Sequence, residues 1–167
     1  MRKPREEFSY SSLQKKLVLK LNKAAKTLKE MGYESQPISP REFYDYMTGE
    51  TPTGDTITIV DVLDNEFLMI HEAVEISELK KKKVPINKQT VMNTYPGVVE
   101  THYTATEYEL DYAIDKKDYG WLKMRMSHTK SWLEEPNMPH HLVQRHSNLM
   151  KKLSKALESC SKNKSTL

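Results

Sequence analysis

The segment ITIVDVLDNEFLMIHEAVEISELKKK, residues 57–82, contains no proline or glycine. Its apolar residues recur at spacings of three and four, which place side chains on one face of an α-helix. They are Leu63, Phe67, Ile70 and Val74. A β-strand is the alternative over Thr56–Val62, because β-branched residues alternate there. We favour one long helix over residues 57–82, because the apolar residues continue at helical spacing beyond Val62. The lysines at its end suit the negative end of a helix dipole.

The same helical spacing returns between the prolines and glycines of the rest of the chain. Further helices are predicted at residues 9–31, 40–47, 87–115 with a kink at Pro96, 117–134, and from Pro139 to about 158. We therefore expect an all-α protein, a single bundle of five or six helices. Its helical domain covers residues 1–158, and residues 159–167 form a flexible polar tail. The helices at 57–82 and 97–115 are expected to form an antiparallel centre.

Composition narrows the class of protein. A chain of 167 residues with 37% hydrophobic and 29% charged residues is typical of one globular domain. No stretch has the ~20 apolar residues of a membrane span, and no apolar signal-peptide core follows the N-terminus. The single cysteine, Cys160, cannot form an internal disulfide, which favours a reducing compartment. We expect a cytoplasmic protein that does not enter membranes.

Charge is distributed unevenly along the chain. The formal net charge is +6 over residues 1–32, −10 over 33–115 and +7 over 116–167. We favour basic outer helices that pack beside an acidic central pair. The alternative is that the acids bind a cation and the lysines face an anionic partner. Nucleic acid is disfavoured as that partner, because no helix-turn-helix glycine, zinc ligand set or glycine-rich phosphate loop accompanies the lysines.

Polar residues border the apolar face of the 57–82 helix. On a helical wheel, His71, Glu75 and Glu78 lie beside the apolar arc. His71 and Glu75 are four residues apart, a spacing that allows two side chains to bind one ligand. This edge therefore offers an imidazole together with carboxylates.

The 97–115 helix has a similar acidic edge beside its apolar line, from which His102 points away. If the two edges face each other, they could hold Mg²⁺, Mn²⁺, iron or Zn²⁺. The predicted metal ligands are His71, Glu75, Glu107 and Asp111, with Glu100 or Glu78 as the catalytic general base. Solvated acids and ion pairs between helices are the alternative, and we rank them above the metal site.

Known metal motifs match these residues only in part. Glu75 stands where the zinc-protease motif His-Glu-x-x-His has its second histidine. The pair Glu75-x-x-Glu78 with Glu107-x-x-x-Asp111 resembles the paired acids of all-α nucleotide pyrophosphohydrolases, although its second half has one residue too many. That resemblance implies a phosphorylated or nucleotide substrate.

A second resemblance covers residues 56–150. The segments Phe67-Leu-Met-Ile-His71-Glu72-Ala-Val-Glu75-Ile, Glu100-Thr-His102, Glu107-Tyr-Glu109-Leu and Ser131-Trp-Leu-Glu-Glu-Pro136 are similar to a family of small archaeal helical proteins. That family has no assigned activity. The resemblance implies a cytoplasmic archaeal protein and no mechanism.

An aromatic and cationic strip follows the 117–134 helix. Its members recur at helical spacing and are Trp121, Arg125, His128 and Trp132. Such a strip could contact a partner by stacking and cation–π interactions. The alternative, which we favour, is that the tryptophans anchor the helix in the bundle.

Two functions remain open. We rank first an interaction or scaffold module without identifiable catalytic activity. The alternative is a metal-dependent hydrolase with a His/carboxylate site between the two central helices. A homodimer is compatible with either function, because the first and last helices have long leucine stripes.

Overall fold

The computed structural model describes residues 8–52, 57–130 and 139–164. These ranges contain eight α-helices and no strand. The helices are α1 Tyr10–Glu30, α2 Pro40–Met47, α3 Ile59–Asp64, α4 Glu66–Lys81, α5 Thr90–Thr94, α6 Val98–Asp115, α7 Tyr119–Lys130 and α8 His140–Lys164. The all-α class is confirmed, with more helices than the five or six predicted.

Capping side chains determine where the first two helices begin. The Ser9 side chain accepts a hydrogen bond from the backbone of Ser12 at the start of α1. At the start of α2, Ser39 Oγ accepts from Glu42 N at 3.1 Å and Glu42 Oε2 accepts from Ser39 N at 2.7 Å. This reciprocal pair satisfies two backbone donors that the helix leaves free. Both helices match the predicted ranges.

The single helix predicted over residues 57–82 is wrong, because the chain forms two helices that meet at Asn65. Asn65 has extended backbone angles, φ −124° and ψ 118°. Its Oδ1 accepts hydrogen bonds from Phe67 N at 2.9 Å and Leu68 N at 3.0 Å, and so caps the start of α4. The apolar spacing continues across this break, which explains why periodicity alone did not reveal it.

The centre of the fold is the antiparallel pair of α4 and α6, as predicted. Tyr112 near the end of α6 donates to Glu66 at the start of α4, over 2.9 Å. At the opposite end, Lys82 Nζ lies 3.0 Å from Glu100 Oε2. Helices α1 and α3 pack on the α4 side, and α7 and α8 pack on the α6 side. The α4–α6 pair therefore has packed helices on both flanks.

The remaining boundaries differ slightly from those predicted. The 87–115 segment divides into α5 and α6 around the cis Tyr95–Pro96 peptide bond. Helix α8 continues to Lys164, whereas a flexible tail was expected from Ser159. Within the described ranges, no helix is both long and apolar enough to cross a bilayer.

Candidate metal centre

Two histidines and two glutamates meet between α4 and α6. Helix α4 contributes His71 and Glu75, and α6 contributes His102 and Glu109. His71 Nδ1 lies 2.8 Å from Glu109 Oε2, and His71 Nε2 lies 3.1 Å from His102 Nδ1. Glu75 Oε2 lies 2.9 Å from His102 Nδ1 and 3.4 Å from His71 Nε2.

Three atoms of this group form a small triangle. Its corners are His71 Nε2, His102 Nδ1 and Glu75 Oε2, and its sides measure 3.1, 2.9 and 3.4 Å. Atoms that bind one Zn²⁺ or similar ion at about 2.0–2.1 Å lie about 2.8–3.4 Å from one another in octahedral or tetrahedral geometry. The triangle therefore has the size of three ligands around one ion.

Without a metal, protons occupy this triangle. Glu75 Oε2 accepts hydrogen bonds from both His102 Nδ1 and His71 Nε2, so both ring nitrogens act as donors. These two donors face each other across 3.1 Å and form no hydrogen bond with each other. A divalent cation that displaced both protons would be bound by all three atoms together.

A tyrosine of α2 binds the Glu75 carboxylate oxygen that does not face the histidines. Tyr46 donates its hydroxyl hydrogen to Glu75 Oε1, which leaves Oε2 facing the histidines. Burial and the charge of Glu75 raise the pKa of Tyr46 well above its usual value, so this phenol remains a donor. Burial alone would raise the pKa of Glu75, but hydrogen bonds to His102 and His71 outweigh it and hold that pKa below its usual value. Glu75 is therefore ionised and fixed in orientation.

Glu109 lies deepest in the group, with a side chain that is 0% exposed. It accepts hydrogen bonds from Trp121 Nε1 and Arg125 Nη2 of α7, each over 2.7 Å. Burial favours its neutral form, but His71 and Arg125 outweigh burial and lower the pKa of Glu109. Glu109 is thus a buried carboxylate whose charge is balanced by two cationic or protonated neighbours.

His71 is held between the two carboxylates. Burial alone would lower the pKa of His71, but hydrogen bonds to Glu109 and Glu75 raise it to about 10. Its side chain is 3% exposed, whereas that of His102 is 40% exposed. Solvent therefore reaches the centre at His102.

The structure brings together two of the four predicted metal ligands, His71 and Glu75. The other two lie in ion pairs with α8. Glu107 is bound by Arg145 at 2.7 Å, and Asp111 pairs with Lys152. Among the residues that the structure describes, Glu107 and Asp111 join no group that could hold a metal ion.

The two predicted general bases are also paired with cations. Glu78 Oε1 accepts from Tyr33 at 2.7 Å and from Lys81 at 2.8 Å. Glu100 pairs with Lys82. Contacts with these lysines lower the pKa of both carboxyl groups, although burial opposes the shift most strongly at Glu78.

The expectation that His102 points away from the site is wrong. The helical wheel treated only one line of α6 as buried, but α6 is covered by α4 on one side and by α7 and α8 on another. The line that faces α4 contains His102 and Glu109 with Thr106 between them, at spacings of four and three. This spacing of polar residues was the signal in the sequence that could have revealed the site.

The residues proposed for an interface lie in three different settings. Trp121 and Arg125 both contact Glu109, and the Trp121 ring packs 5.1 Å from the ring of Phe67. His128 is exposed, and Trp132 lies outside the described residues. The first half of the strip therefore anchors α7 to the buried centre.

Comparisons of the chain with protein-family models, curated proteins and solved structures find no match in any of the three. The geometry of the centre is therefore the basis for a functional assignment.

Proposed function

We propose that this protein binds one divalent transition-metal ion through His71 Nε2, His102 Nδ1 and Glu75 Oε2, and uses it for hydrolysis. The supporting observation is the triangle of these three atoms, with sides of 2.9–3.4 Å, in which two ring nitrogens face each other as donors beside one carboxylate oxygen. Each ligand belongs to α4 or α6, which pack against each other at the centre of the fold. Ligands on packed helices are positioned more precisely than ligands on loops.

The ligand set favours some metals over others. Two imidazoles and one carboxylate suit Zn²⁺ or Fe²⁺ better than Mg²⁺, which prefers oxygen ligands and bound water. Among the metals considered from the sequence, we therefore place zinc and iron ahead of magnesium and manganese.

The number of ligands supports a catalytic rather than a structural site. Structural zinc sites use four protein ligands, whereas catalytic sites use three and leave one position open. Here the open position would face the solvent beside His102, whose side chain is 40% exposed. A metal in such a position supplies a bound water of lowered pKa. A phosphorylated or nucleotide substrate stays a prediction from the sequence, since Glu78, Glu107 and Asp111 of the acidic motif pair with cations instead.

The protein's own residues would hold the ligands in position. Tyr46 orients the Glu75 carboxylate, and Glu109 contacts the other nitrogen of His71. The buried position of Glu75 and Glu109 excludes bulk water from the inner side of the site. Buried ion pairs seldom add to stability even when every charge is paired, as here, so a cluster of this kind favours a functional role over a purely structural one.

The interaction or scaffold module becomes the second candidate. Its support is the adjacent pair Val18 and Leu19 on α1, which are 42% and 67% exposed. A homodimer through the leucine stripes of α1 and α8, and a cytoplasmic location, stay predictions from the sequence.

Metal titration tests the first proposal. The purified protein is treated with a chelator and titrated with Zn²⁺ and, without oxygen, with Fe²⁺, while bound metal and melting temperature are recorded. We expect one equivalent of metal, with stabilisation of about 2.7 kcal/mol when free metal is 100 times the Kd. His102→Ala should abolish this stabilisation, because one of three ligands is lost.

A matched control is His141→Ala, since the His141 side chain is 65% exposed and forms an ion pair with Glu100 at 3.6 Å. That variant should bind metal like the wild type. A protein that binds no metal, or that binds equally well in both variants, would contradict the proposal.

A further inference from the structure

Glu109 is the point at which three helices meet at the centre. It belongs to α6 and accepts hydrogen bonds from His71 of α4 and from Trp121 and Arg125 of α7. Oε2 receives His71 Nδ1 at 2.8 Å and Arg125 Nη2 at 2.7 Å, and Oε1 receives Trp121 Nε1 at 2.7 Å. Arg125 Nε lies 2.6 Å from Oε1 without forming a hydrogen bond.

These partners allow Glu109 to act only as a hydrogen-bond acceptor. Arg125 and Trp121 can only donate, so both carboxylate oxygens act as acceptors. An oxygen that already accepts hydrogen bonds from arginine or tryptophan has little capacity to bind a metal as well. Glu109 is therefore set apart from the three atoms of the triangle, although it lies next to them.

The same contacts determine which nitrogen of His71 faces the triangle. Nδ1 points at an acceptor-only carboxylate, so Nδ1 must have its proton. A metal can therefore replace only the proton of Nε2, and Nε2 is the nitrogen that lies 3.1 Å from His102 Nδ1 and 3.4 Å from Glu75 Oε2. Arg125 and Trp121 hold Glu109 in this orientation from the opposite side.

We infer that Glu109 is a positioning residue, which holds His71 so that its Nε2 binds the metal, while Arg125 and Trp121 hold Glu109. This inference rests on the proposed metal site. Carboxylates that accept the second N–H of a metal-binding histidine fix its ring orientation and strengthen its bond to the metal. Removing such a partner typically weakens metal binding about 10–100-fold.

The test compares Glu109→Gln with the wild type by Zn²⁺ titration. Glutamine keeps the size of the side chain but replaces one acceptor oxygen with an NH₂ group. That group cannot accept the hydrogen bond that Trp121 or Arg125 of α7 donates there. We expect Zn²⁺ affinity to fall about 10–100-fold. The matched control is Glu107→Gln, two residues earlier on α6, whose carboxylate is bound by Arg145 and contacts no histidine of the triangle. That variant should retain the affinity of the wild type.

A second measurement separates positioning from a purely structural role. Nitrogen-15 spectra of the histidine rings should show a slowly exchanging Nδ1–H at His71 in the wild type, with or without Zn²⁺. Glu109→Gln should lose or shift this signal, and Glu107→Gln should keep it. Unchanged Zn²⁺ affinity together with an unchanged His71 signal in Glu109→Gln would overturn the positioning role.

A third variant covers the case in which Glu109→Gln does not fold. Trp121→Phe keeps an aromatic ring against Phe67 but removes one hydrogen bond to Glu109. It should weaken Zn²⁺ binding by a smaller factor and shift the His71 Nδ1–H signal, and no change in either would overturn the inference. A wild type that shows the Nδ1–H signal but binds no Zn²⁺ would refute the metal site while leaving the Glu109–His71 contact intact.

Discussion

At the residue scale, the centre places an unusual number of ionisable side chains out of water. His71, Glu75 and Glu109 have side chains that are 3%, 9% and 0% exposed. A buried charge is tolerated only while its partners are present, because an unpaired ion in the interior loses its hydration without compensation. Each of these groups should therefore be more sensitive to the loss of its partner than the charged pairs on the surface.

Arg125 provides a direct test of this sensitivity. Arg125→Met removes the guanidinium beside Glu109 while keeping much of the side-chain volume. We expect a loss of about 3–5 kcal/mol in the free energy of unfolding, because Glu109 remains charged and buried. The measurement is urea denaturation of the metal-free protein.

Arg145→Met is the matched control for that variant. Arg145 pairs with Glu107 in the same manner, but their side chains are 31% and 32% exposed. Solvent screening should limit its loss to about 1 kcal/mol or less. Equal losses of unfolding free energy in the two variants would show that burial does not increase the contribution of the Arg125–Glu109 pair to stability.

The raised pKa of His71 predicts how stability depends on pH. A histidine with a folded-state pKa of about 10, against 6.5 when unfolded, binds its proton more tightly in the folded protein. Its contribution is complete below pH 6.5 and is lost as the pH rises toward 10. The free energy of unfolding of the metal-free protein should therefore fall between about pH 6.5 and 9.5, by at most about 1.4 kcal/mol per pH unit.

Most other shifted groups titrate outside this range. Burial lowers the pKa of His146 from 6.5, so His146 adds to stability as the pH rises through about 6.5 and opposes His71 only at the lower end. Tyrosines begin to contribute near their usual pKa of 10, and the lowered pKa values of Glu75 and Glu109 reduce stability only as the pH falls below about 4.5. Glutamine does not titrate, so the His71→Gln variant should lack the fall in unfolding free energy that His71 produces as the pH rises. A wild type whose stability is flat over this range would contradict the assigned charge of His71.

At the element scale, the join between α3 and α4 depends on one side chain. Asn65 caps two backbone N–H groups of α4, the helix that presents His71 and Glu75. Asn65→Ala should therefore reduce the free energy of unfolding by about 0.5–2 kcal/mol, as loss of a helix N-cap does. Thermal or urea denaturation measures the change.

Asn148→Ala is the control for this cap. Asn148 lies on α8, where its side chain accepts an exposed hydrogen bond from Gln144 at 3.1 Å. Its replacement should change stability by less than that of Asn65. If α4 were simply the continuation of α3, Asn65→Ala would stabilise the protein, because alanine favours helix interiors.

The same elements show which parts of the structure could be predicted from sequence. Caps and breaks such as Ser39, Pro40 and Gly32 act within one turn, so α1 and α2 were predicted correctly. Asn65 also acts locally, but the apolar spacing on both sides of it concealed the cap. An asparagine that can cap a helix therefore indicates a possible break even where the apolar spacing continues past it.

The site was predicted only in part, for a different reason. His71 and Glu75 share one helix, and their spacing made them candidates. His102 and Glu109 became partners of His71 only when α6 packed on α4 in one rotation about its axis. Glu107 and Asp111 had equal standing in the sequence, but α8 supplies Arg145 and Lys152 to pair with them. Contacts between helices that are distant in sequence determine which acids join the centre, and the periodicity within one helix does not reveal those contacts.

At the scale of the whole molecule, ion pairs between helices join the basic ends of the chain to its acidic middle. Helix α1 supplies Lys16 to Asp64 and Lys23 to Glu66, at 2.5 and 3.7 Å. Helix α8 supplies Arg145 and Lys152 to the acids of α6. The basic outer helices therefore pair with surface acids of the centre, as the favoured interpretation of the charge pattern expected. The acids of the His71 centre are separate from this pairing and make their contacts in the interior.

The most direct test of the proposed site is a crystal structure of the protein soaked in Zn²⁺, with anomalous diffraction measured at the zinc absorption edge. The account predicts a single strong anomalous peak about 2.0–2.2 Å from His71 Nε2, His102 Nδ1 and Glu75 Oε2, with Glu109 still bound to His71 Nδ1. Zinc bound only at surface histidines such as His141, with the three atoms still hydrogen-bonded to one another, would contradict it.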